Sequence, residues 1–446
     1  MQTKNDAIEL ANTTKFLPMH TFLALGIFVI SMAGLLSVQY GMSGHYSVGV
    51  AVANSSGSSQ WRDFWHVPAK TIEDTHLAAI MRVCLICAWV AYGAVLTLLR
   101  SATISKRAIV QTGIAVAVVS ALFFPPSLSA DSYLYAGYGR MLVTYHQNPY
   151  VTSTDLLAVN HDPIAVILSP DSDGPIRHMF WTSPSVYGPV WTIVEAASAL
   201  VGSAFGITLQ IMFLKLTAAG CLLLAAFGSS RLAAKSGIVD PLLAFAAIAF
   251  NPLLIIEGPG GAHNDMMVIA CMIMSLLFVQ EKRNGFAGLF LGLAAGIKLF
   301  PLLLIPWIVA GMIKQGERLP IREALIFATA AILPIVAGYG LFWRGLDTFS
   351  SLRQNFVNTQ HTPVFTLLLY GTLSVWCFLR RDALPAAWAI FLTWLALYVP
   401  QIPYPWYLGW GLSIAVAGAD PRRMRLALAL GTIALMSELH AYTMFS

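Results

Sequence analysis

Residues 187–203 read YGPVWTIVEAASALVGS, an apolar stretch carrying one acid, Glu195. Its path decides the topology of the chain. If it crosses a lipid bilayer, every later loop changes sides. If it dips in and returns, or lies along the interface, the sides are kept. The runs around it show why a bilayer is the right frame. Continuous apolar runs recur from residue 19 to the C-terminus, and a hydrocarbon core of about 30 Å takes about 20 residues to cross. The runs are continuous rather than alternating, so they predict helices and not barrel strands. Spans are expected near 19–40, 77–99, 108–126, 207–229, 238–256, 264–280, 286–298, 300–313, 324–343, 364–379, 384–399, 405–419 and 426–444. The expected fold is therefore an all-α integral membrane protein with about 13 transmembrane helices, by the length rule for spans.

Composition agrees. The 446 residues are 57% hydrophobic and 11% charged, against about 25% charged in a soluble domain. Five cysteines, Cys84, Cys87, Cys221, Cys271 and Cys377, all fall in apolar runs and read as small hydrophobes. The first run is read as a retained anchor, because no cleavage site precedes it.

Charge assigns the sides. Of 26 basic residues, Arg82, Lys215 and Lys298 fall inside apolar runs. With 187–203 not crossing, only Arg62, Lys70, Arg140, Arg177, Arg344 and Arg353 fall on the outer face, and the other 17 are cytoplasmic. That is the bias of short cytoplasmic loops, and it places the N-terminus inside and the C-terminus outside. The basic residues sit in short clusters between apolar runs, which reads as topology and not as a nucleic-acid surface.

The longest polar segment, 129–186, then lies outside. It is rich in tyrosine, which argues against disorder, and long loops in compact proteins are usually functional when ordered. Asp131 directly follows a span. A carboxylate there suits a general base acting on a hydroxyl that arrives from outside, and the neighbouring low dielectric would tune its pKa upward. An N-cap role for the following segment is the plain alternative.

Three more segments carry polar groups at membrane depth. In 251–265, NPLLIIEGPGGAHND, the Gly/Pro cluster breaks the helix and brings His263, Asn264 and Asp265 to the start of the next run. One His and one Asp are a weak metal signal, and a substrate-orienting cluster reads better. In 296–301, GIKLFP, Lys298 lies in an apolar run just before a helix-breaking proline, free to meet an anionic headgroup. Lys215 is a second such lysine and is read either as a ligand or as an ion-pair partner of Glu195. In 403–410, PYPWYLGW, the aromatics form either an interfacial belt or a stacking wall for a sugar or isoprenoid. Asp347, Arg353 and His361 are weaker outer-face candidates.

Taken in order, Asp131 with Tyr135 and Gly139-Arg140, then Asn148-Pro149-Tyr150, Tyr187-Gly188-Pro189, Asn251-Pro252, His263-Asn264-Asp265, Lys298 and Pro405-Trp406-Tyr407 resemble the GT-C superfamily of polyprenol-phosphate-sugar-dependent glycosyltransferases. The likeness is strongest to bacterial polyprenol-phosphate-mannose mannosyltransferases and covers about residues 125–415. It implies one transmembrane glycosyltransferase domain over 1–446, with 129–186 as an outer catalytic loop of juxtamembrane helices. It also implies an inverting transfer of a hexose, here mannose, from a polyprenyl monophosphate to a glycan or glycolipid acceptor at the outer membrane face. Asp131 is then the catalytic base. Tyr135, Arg140, Asn148, Tyr150, Tyr187, His263, Asn264, Asp265, Lys298, Arg344, Trp406 and Tyr407 bind substrate, and Arg140, Lys298 and Arg344 stabilise the departing phosphate. The resemblance implies no cofactor and no metal. Family members often place the aspartate after the first span. Here it follows the third, which leaves Asp63 and Asp74 as rival bases. A lipid or solute transporter and an undecaprenyl-linked polymerase or ligase are the competing classes; intramembrane Lys215, Glu195 and Lys298 would suit the former.

Overall fold

The computed structural model describes residues 19–42, 46–47, 66–67, 75–100, 106–126, 129, 131–168, 183–237, 239–309, 321–353, 363–380, 383–398 and 404–443. Asp63, Asp74, Arg177 and His361 lie outside the described residues, as do 169–182 of the long polar loop.

Helix α1 (Met19–Met42) packs along α2 (Thr75–Leu99), with a two-residue antiparallel pair, Tyr46–Ser47 and His66–Val67, between them in sequence. Helix α3 (Lys106–Phe123) leads to α4 (Asp131–Val143), and the short α5 (Asp155–Val159) and α6 (Pro163–Leu168) follow. Then come α7 (Pro189–Phe205) and the longest helix, α8 (Ile207–Ser236). Helix α9 (Pro241–Ala249) bends by 56° into α10 (Pro252–Ile255), which continues as a π-helical turn, Ile256–Gly260. The rest is α11 (Asp265–Gln280), α12 (Asn284–Ala295), the segment Phe300–Val309, α13 (Ile321–Leu341), α14 (Pro363–Leu379), α15 (Leu384–Tyr398), α16 (Pro405–Val416) and α17 (Met424–Thr443).

Over its described residues each expected apolar run is largely helical, but not all are of spanning length. Five of the described helices are long and apolar enough to cross a membrane, or six if the bent pair counts as one span. The expected 13 crossings are not reached by helix length. Local chemistry explains the shortfall. Pro252 lacks a backbone N–H, so it restarts the helix inside the run expected at 238–256, and Pro259 sits in the π turn beyond it. Pro189, Pro241, Pro252 and Pro405 all stand in the first turn, where the missing N–H costs nothing. Asp240 and Asn251 cap α9 and α10 by accepting from Leu242 N and Leu254 N.

Helix α8 is the axle: it touches α3, α4, α7, α9, α11 and the π turn. At one end of the bundle Lys235 pairs with Glu281 at 3.5 Å and Ser229 accepts from Gly418 N at 2.8 Å. At the other end are the start of α4, the π turn, the start of α11, the Lys298 loop and the start of α16. Helix α7 turns straight into α8 at Gly206, whose φ of +93° suits glycine, and doubles back against it. It also lies against α4, where Gly139 is required, because a Cβ there would collide with the Glu195 carbonyl.

Candidate active site

The site is assembled from four breaks in regular structure. Asp131 is the first residue of α4, with its side chain 15% exposed. Its Oδ2 accepts from Tyr135 Oη, one turn on, at 3.1 Å. It also lies 3.4 Å from His263 Nδ1. The carboxylate therefore faces the site and is not spent as an N-cap.

His263 is delivered by the π turn. Pro259 and the glycines around it break α10, Ala262 takes φ +60°, and His263 N donates to Glu257 O at 3.1 Å. A buried alanine at positive φ is strained backbone that its surroundings must hold, and π turns often mark functional positions. The fold-back sets His263 Nε2 3.2 Å from Glu257 Oε2. The imidazole thus sits at ion-pair distance between two carboxylates, with neither contact aligned as a hydrogen bond. Trp406 stacks on the His263 ring at 4.0 Å and 17°, and Tyr404 stacks on Trp406 at 4.5 Å and 14°. Two rings stacked so close to one centroid cannot share a face, so Trp406 is sandwiched. Both faces of Trp406, one residue of the expected 403–410 wall, are thus covered by protein rings.

Burial pushes the Asp131 carboxyl up, but the His263 contact, the charges of His263 and Lys298, and the Tyr135 hydroxyl outweigh it. Asp131 ends below its ordinary range, so the upward tuning expected from a lipid boundary is overturned by its cationic neighbours. For His263 burial opposes the cation, yet contact with Asp131 and Glu257 and their charges push it up to about 9.

Lys298 Nζ donates to Asp265 Oδ1 at 2.6 Å, and Trp410 Nε1 donates to the same oxygen at 2.6 Å. The ammonium also lies over the Tyr407 ring at 4.5 Å. The cation expected to be free is therefore paired, though its side chain keeps 14% exposure. Its loop is pinned by the start of α7: Gly188 N donates to Ile297 O at 2.7 Å and Val190 N to Gly296 O at 2.9 Å. Gly188 has no room for a Cβ against Gly296, which gives the Tyr187-Gly188-Pro189 motif a packing reason. Tyr187 meets Tyr135 edge-on at 5.0 Å. Asn264 is fully buried beside them, with both side-chain polar atoms unpaired among the described residues.

The remaining expected ligands lie elsewhere. Arg140 Nε donates to both Asp162 oxygens at 2.9 Å, and Tyr145 and Ile164 N complete that carboxylate's partners. Asn148 joins the Phe342 carbonyl to Tyr150 N, and Tyr150 bonds Thr192 at 2.9 Å. These hold the outer loop together. Arg344 is exposed and donates to its neighbour's carbonyl at Trp343. Lys215 does not pair with Glu195: its Nζ donates to the carbonyls of Phe124 and Gly260, while neither Glu195 oxygen takes a hydrogen bond from a described residue. Sequence reasoning gave no individual role to Glu257 or Asp162, and took Tyr404 and Trp410 only as part of the 403–410 aromatic belt or wall. The signal for Glu257 was its place inside the broken EGPGG segment.

A small cavity borders the cluster, lined by Glu257, Gly258, His263, Asp265, Trp406 and Gly409 among others. Its open space of about 10 Å³ takes about one water. Among the described residues no three His, Cys, Asp or Glu side chains are placed so that they could hold one metal ion.

A polytopic helical membrane protein with a buried acid–imidazole–acid row at one end of its bundle is the class that fold and site define. Within it, the chain belongs to the family described as alpha-(1->6)-mannopyranosyltransferase, N-terminal domain, whose family model matches residues 31–314, more than half of the chain. That agrees with the resemblance read from the sequence. The chain is 26% identical over 350 residues to alpha-(1->6)-mannopyranosyltransferase A of Mycobacterium tuberculosis, covering 68% of this chain and 64% of that protein. It is also 26% identical over 235 residues to the protein of the same name from Corynebacterium glutamicum, covering 50% of this chain and 45% of that one. The chain thus spans less than two thirds of the length of either relative. No solved structure matches it.

Proposed function

We propose that this chain is a glycosyltransferase that moves mannose from a polyprenyl-monophosphate donor to a hydroxyl of a lipid-linked glycan at the outer membrane face. Family membership supports the mannosyl group, and the relatives' names suggest an α-(1→6) product. One observation carries the chemistry: the Asp131 carboxyl group stands partly exposed beside His263, at the end of the bundle opposite the Lys235–Glu281 pair. The charge bias of the loops supports reading that end as the outer one. On this reading α7 does not cross, the shorter helices complete the crossings against their neighbours, and the N-terminus is cytoplasmic.

Asp131 takes the acceptor's proton as the acceptor oxygen bonds to the anomeric carbon. The bond from that carbon to the phosphate oxygen breaks in the same step, and the lipid phosphate departs as an anion. A single displacement inverts the centre, so an α-linked product calls for a β-linked donor. Lys298, held by Asp265 over Tyr407, faces the developing phosphate charge. Neither a metal nor a cofactor enters the proposal.

The test is transfer by purified protein from a short-chain polyprenyl-phosphate mannose to an oligomannoside. Asp131→Asn should lower kcat by about 10²–10⁴-fold, and full turnover by that variant removes Asp131 from the role. Wild-type rate should be unchanged in EDTA. Loss of rate there, restored by a divalent cation, would refute metal independence.

A further inference from the structure

We propose that His263 and Glu257 form, with Asp131, a buried proton relay that clears the acceptor's proton from the base toward the cavity beside Glu257. The inference rests on Asp131 being the base. It starts from a difficulty that reading creates: the Asp131 side chain is 15% exposed, and a bound lipid donor and acceptor would cover it, so the proton it takes needs another place to go.

The row supplies one. Asp131 Oδ2, His263 Nδ1, His263 Nε2 and Glu257 Oε2 follow one another at 3.4 Å and 3.2 Å. Catalytic hydrogen bonds are often long without substrate and tighten in the complex. The imidazole plane is fixed by Trp406, itself backed by Tyr404, so the ring cannot tip away from either carboxylate. Glu257 Oε1 is buried without a partner among the described residues, and Glu257 lines the cavity sized for about one water. A receiving acid with a free oxygen beside a water-sized space is what the end of a relay needs.

The proton balance closes. Before transfer the row is carboxylate, imidazolium, carboxylate. Transfer makes Asp131 a neutral acid. His263 then gives its Nε2 proton to Glu257 and takes the Asp131 proton on Nδ1. The result is carboxylate, imidazolium and neutral Glu257, which holds the extra proton beside the cavity until the products leave and solvent reaches the row again. The imidazolium is regenerated and no oxidant or further reactant is consumed.

Other titratable groups face the row from each packed element. Tyr135 and Tyr187 approach Asp131 from α4 and the segment before α7, Lys298 from the loop after α12, and Tyr404 and Tyr407 from the start of α16. Asp265 on α11 and Glu438 on α17 approach Glu257 and its surroundings. None of these bridges Asp131 to the cavity as His263 does.

The experiment uses the full chain in detergent or nanodiscs, with the same donor and acceptor, from pH 5 to 9. Glu257→Gln and His263→Gln should each lose about 10–100-fold in kcat, a part of the usual acid–base contribution, with both KM values within about two-fold. His263→Gln should also move the acidic limb of the profile to higher pH, because Asp131 loses its cation. Glu257→Asp keeps a carboxyl group at the end of the row and should regain at least about ten-fold over Glu257→Gln. Equal losses in those two variants overturn the relay even if His263→Gln does not fold. Wild-type kcat in Glu257→Gln and His263→Gln, with Asp131→Asn inactive, overturns the relay and leaves the base in place. Full turnover by Asp131→Asn instead removes the reading on which the relay stands.

Discussion

His263 gains two carboxylates and a stacked indole in one place, and this has a measurable consequence for stability. Its usual value of 6.5 is pushed up to about 9 in the folded chain, against burial, by Asp131 and Glu257. A raised folded value means the stabilisation is fully present below about pH 6.5 and is lost as pH rises through about 9. Asp131 works in the opposite direction: its value is lowered, so its share is present above the usual 3.8 and is lost as pH falls through the folded value. Thermal unfolding of the wild type should therefore occur at a lower temperature at pH 10 than at pH 7. His263→Gln should show little of that difference, and an unchanged slope in the variant would sink the assignment. Arg140 gives a second prediction at this scale. Its ion pair with the buried Asp162 points to a structural role, so Arg140→Met should cost about 3 kcal/mol of stability while the folded fraction keeps its donor KM. A raised KM with unchanged stability would return Arg140 to the substrate. The sequence showed which residue types were out of place in an apolar chain, and Asp131, His263, Asp265 and Lys298 do converge. It did not show which of them spend their charge on one another. Lys298 and Asp265 are 33 positions apart, and His263 and Asp131 still further; no local period records such a pairing.

Helix ends, not helix middles, build this site, and one buried lysine ties two of them. The Lys215 side chain on α8 donates through Nζ to Phe124 O, just past α3, and to Gly260 O, the last residue of the π turn. Those carbonyls lie seven residues before Asp131 and three before His263. Helix termini leave such groups without intrahelical partners, and a buried orphan costs about 1–3 kcal/mol. Lys215→Met should therefore lower stability by at least about 2 kcal/mol and lower kcat as Asp131 and His263 drift apart. A stable, fully active Lys215→Met would show that neither carbonyl needs the clamp. Legibility at this scale follows the backbone chemistry. Hydropathy located each helix, and proline located each break. Helix length was misjudged because the expected span 238–256 runs on through Pro252, where the hydrogen-bond ladder does not.

For the whole molecule, the path of 187–203 still governs which face the site serves. The structure supplies positions that separate the two paths. His161, Ala204 and Lys282 are all exposed: His161 lies beyond α5, Ala204 near the far end of α7, and Lys282 between α11 and α12. The five native cysteines sit on helices of the bundle and are half-buried or buried, so a cysteine-free background with one cysteine restored at each position reports one site at a time. If α7 does not cross, His161→Cys and Ala204→Cys react with a membrane-impermeant thiol reagent on intact cells, and Lys282→Cys reacts only after lysis. If α7 crosses, Ala204→Cys becomes protected and Lys282→Cys becomes reactive, because every later loop changes sides. The crossing pattern would place Lys298 and His263 on the face away from Asp131, although they pack against it. The contacts Asp131–His263 and Gly188–Ile297 already demand that the polar ends on either side of α7 share one face. The labelling pattern expected is therefore outside, outside, inside for residues 161, 204 and 282.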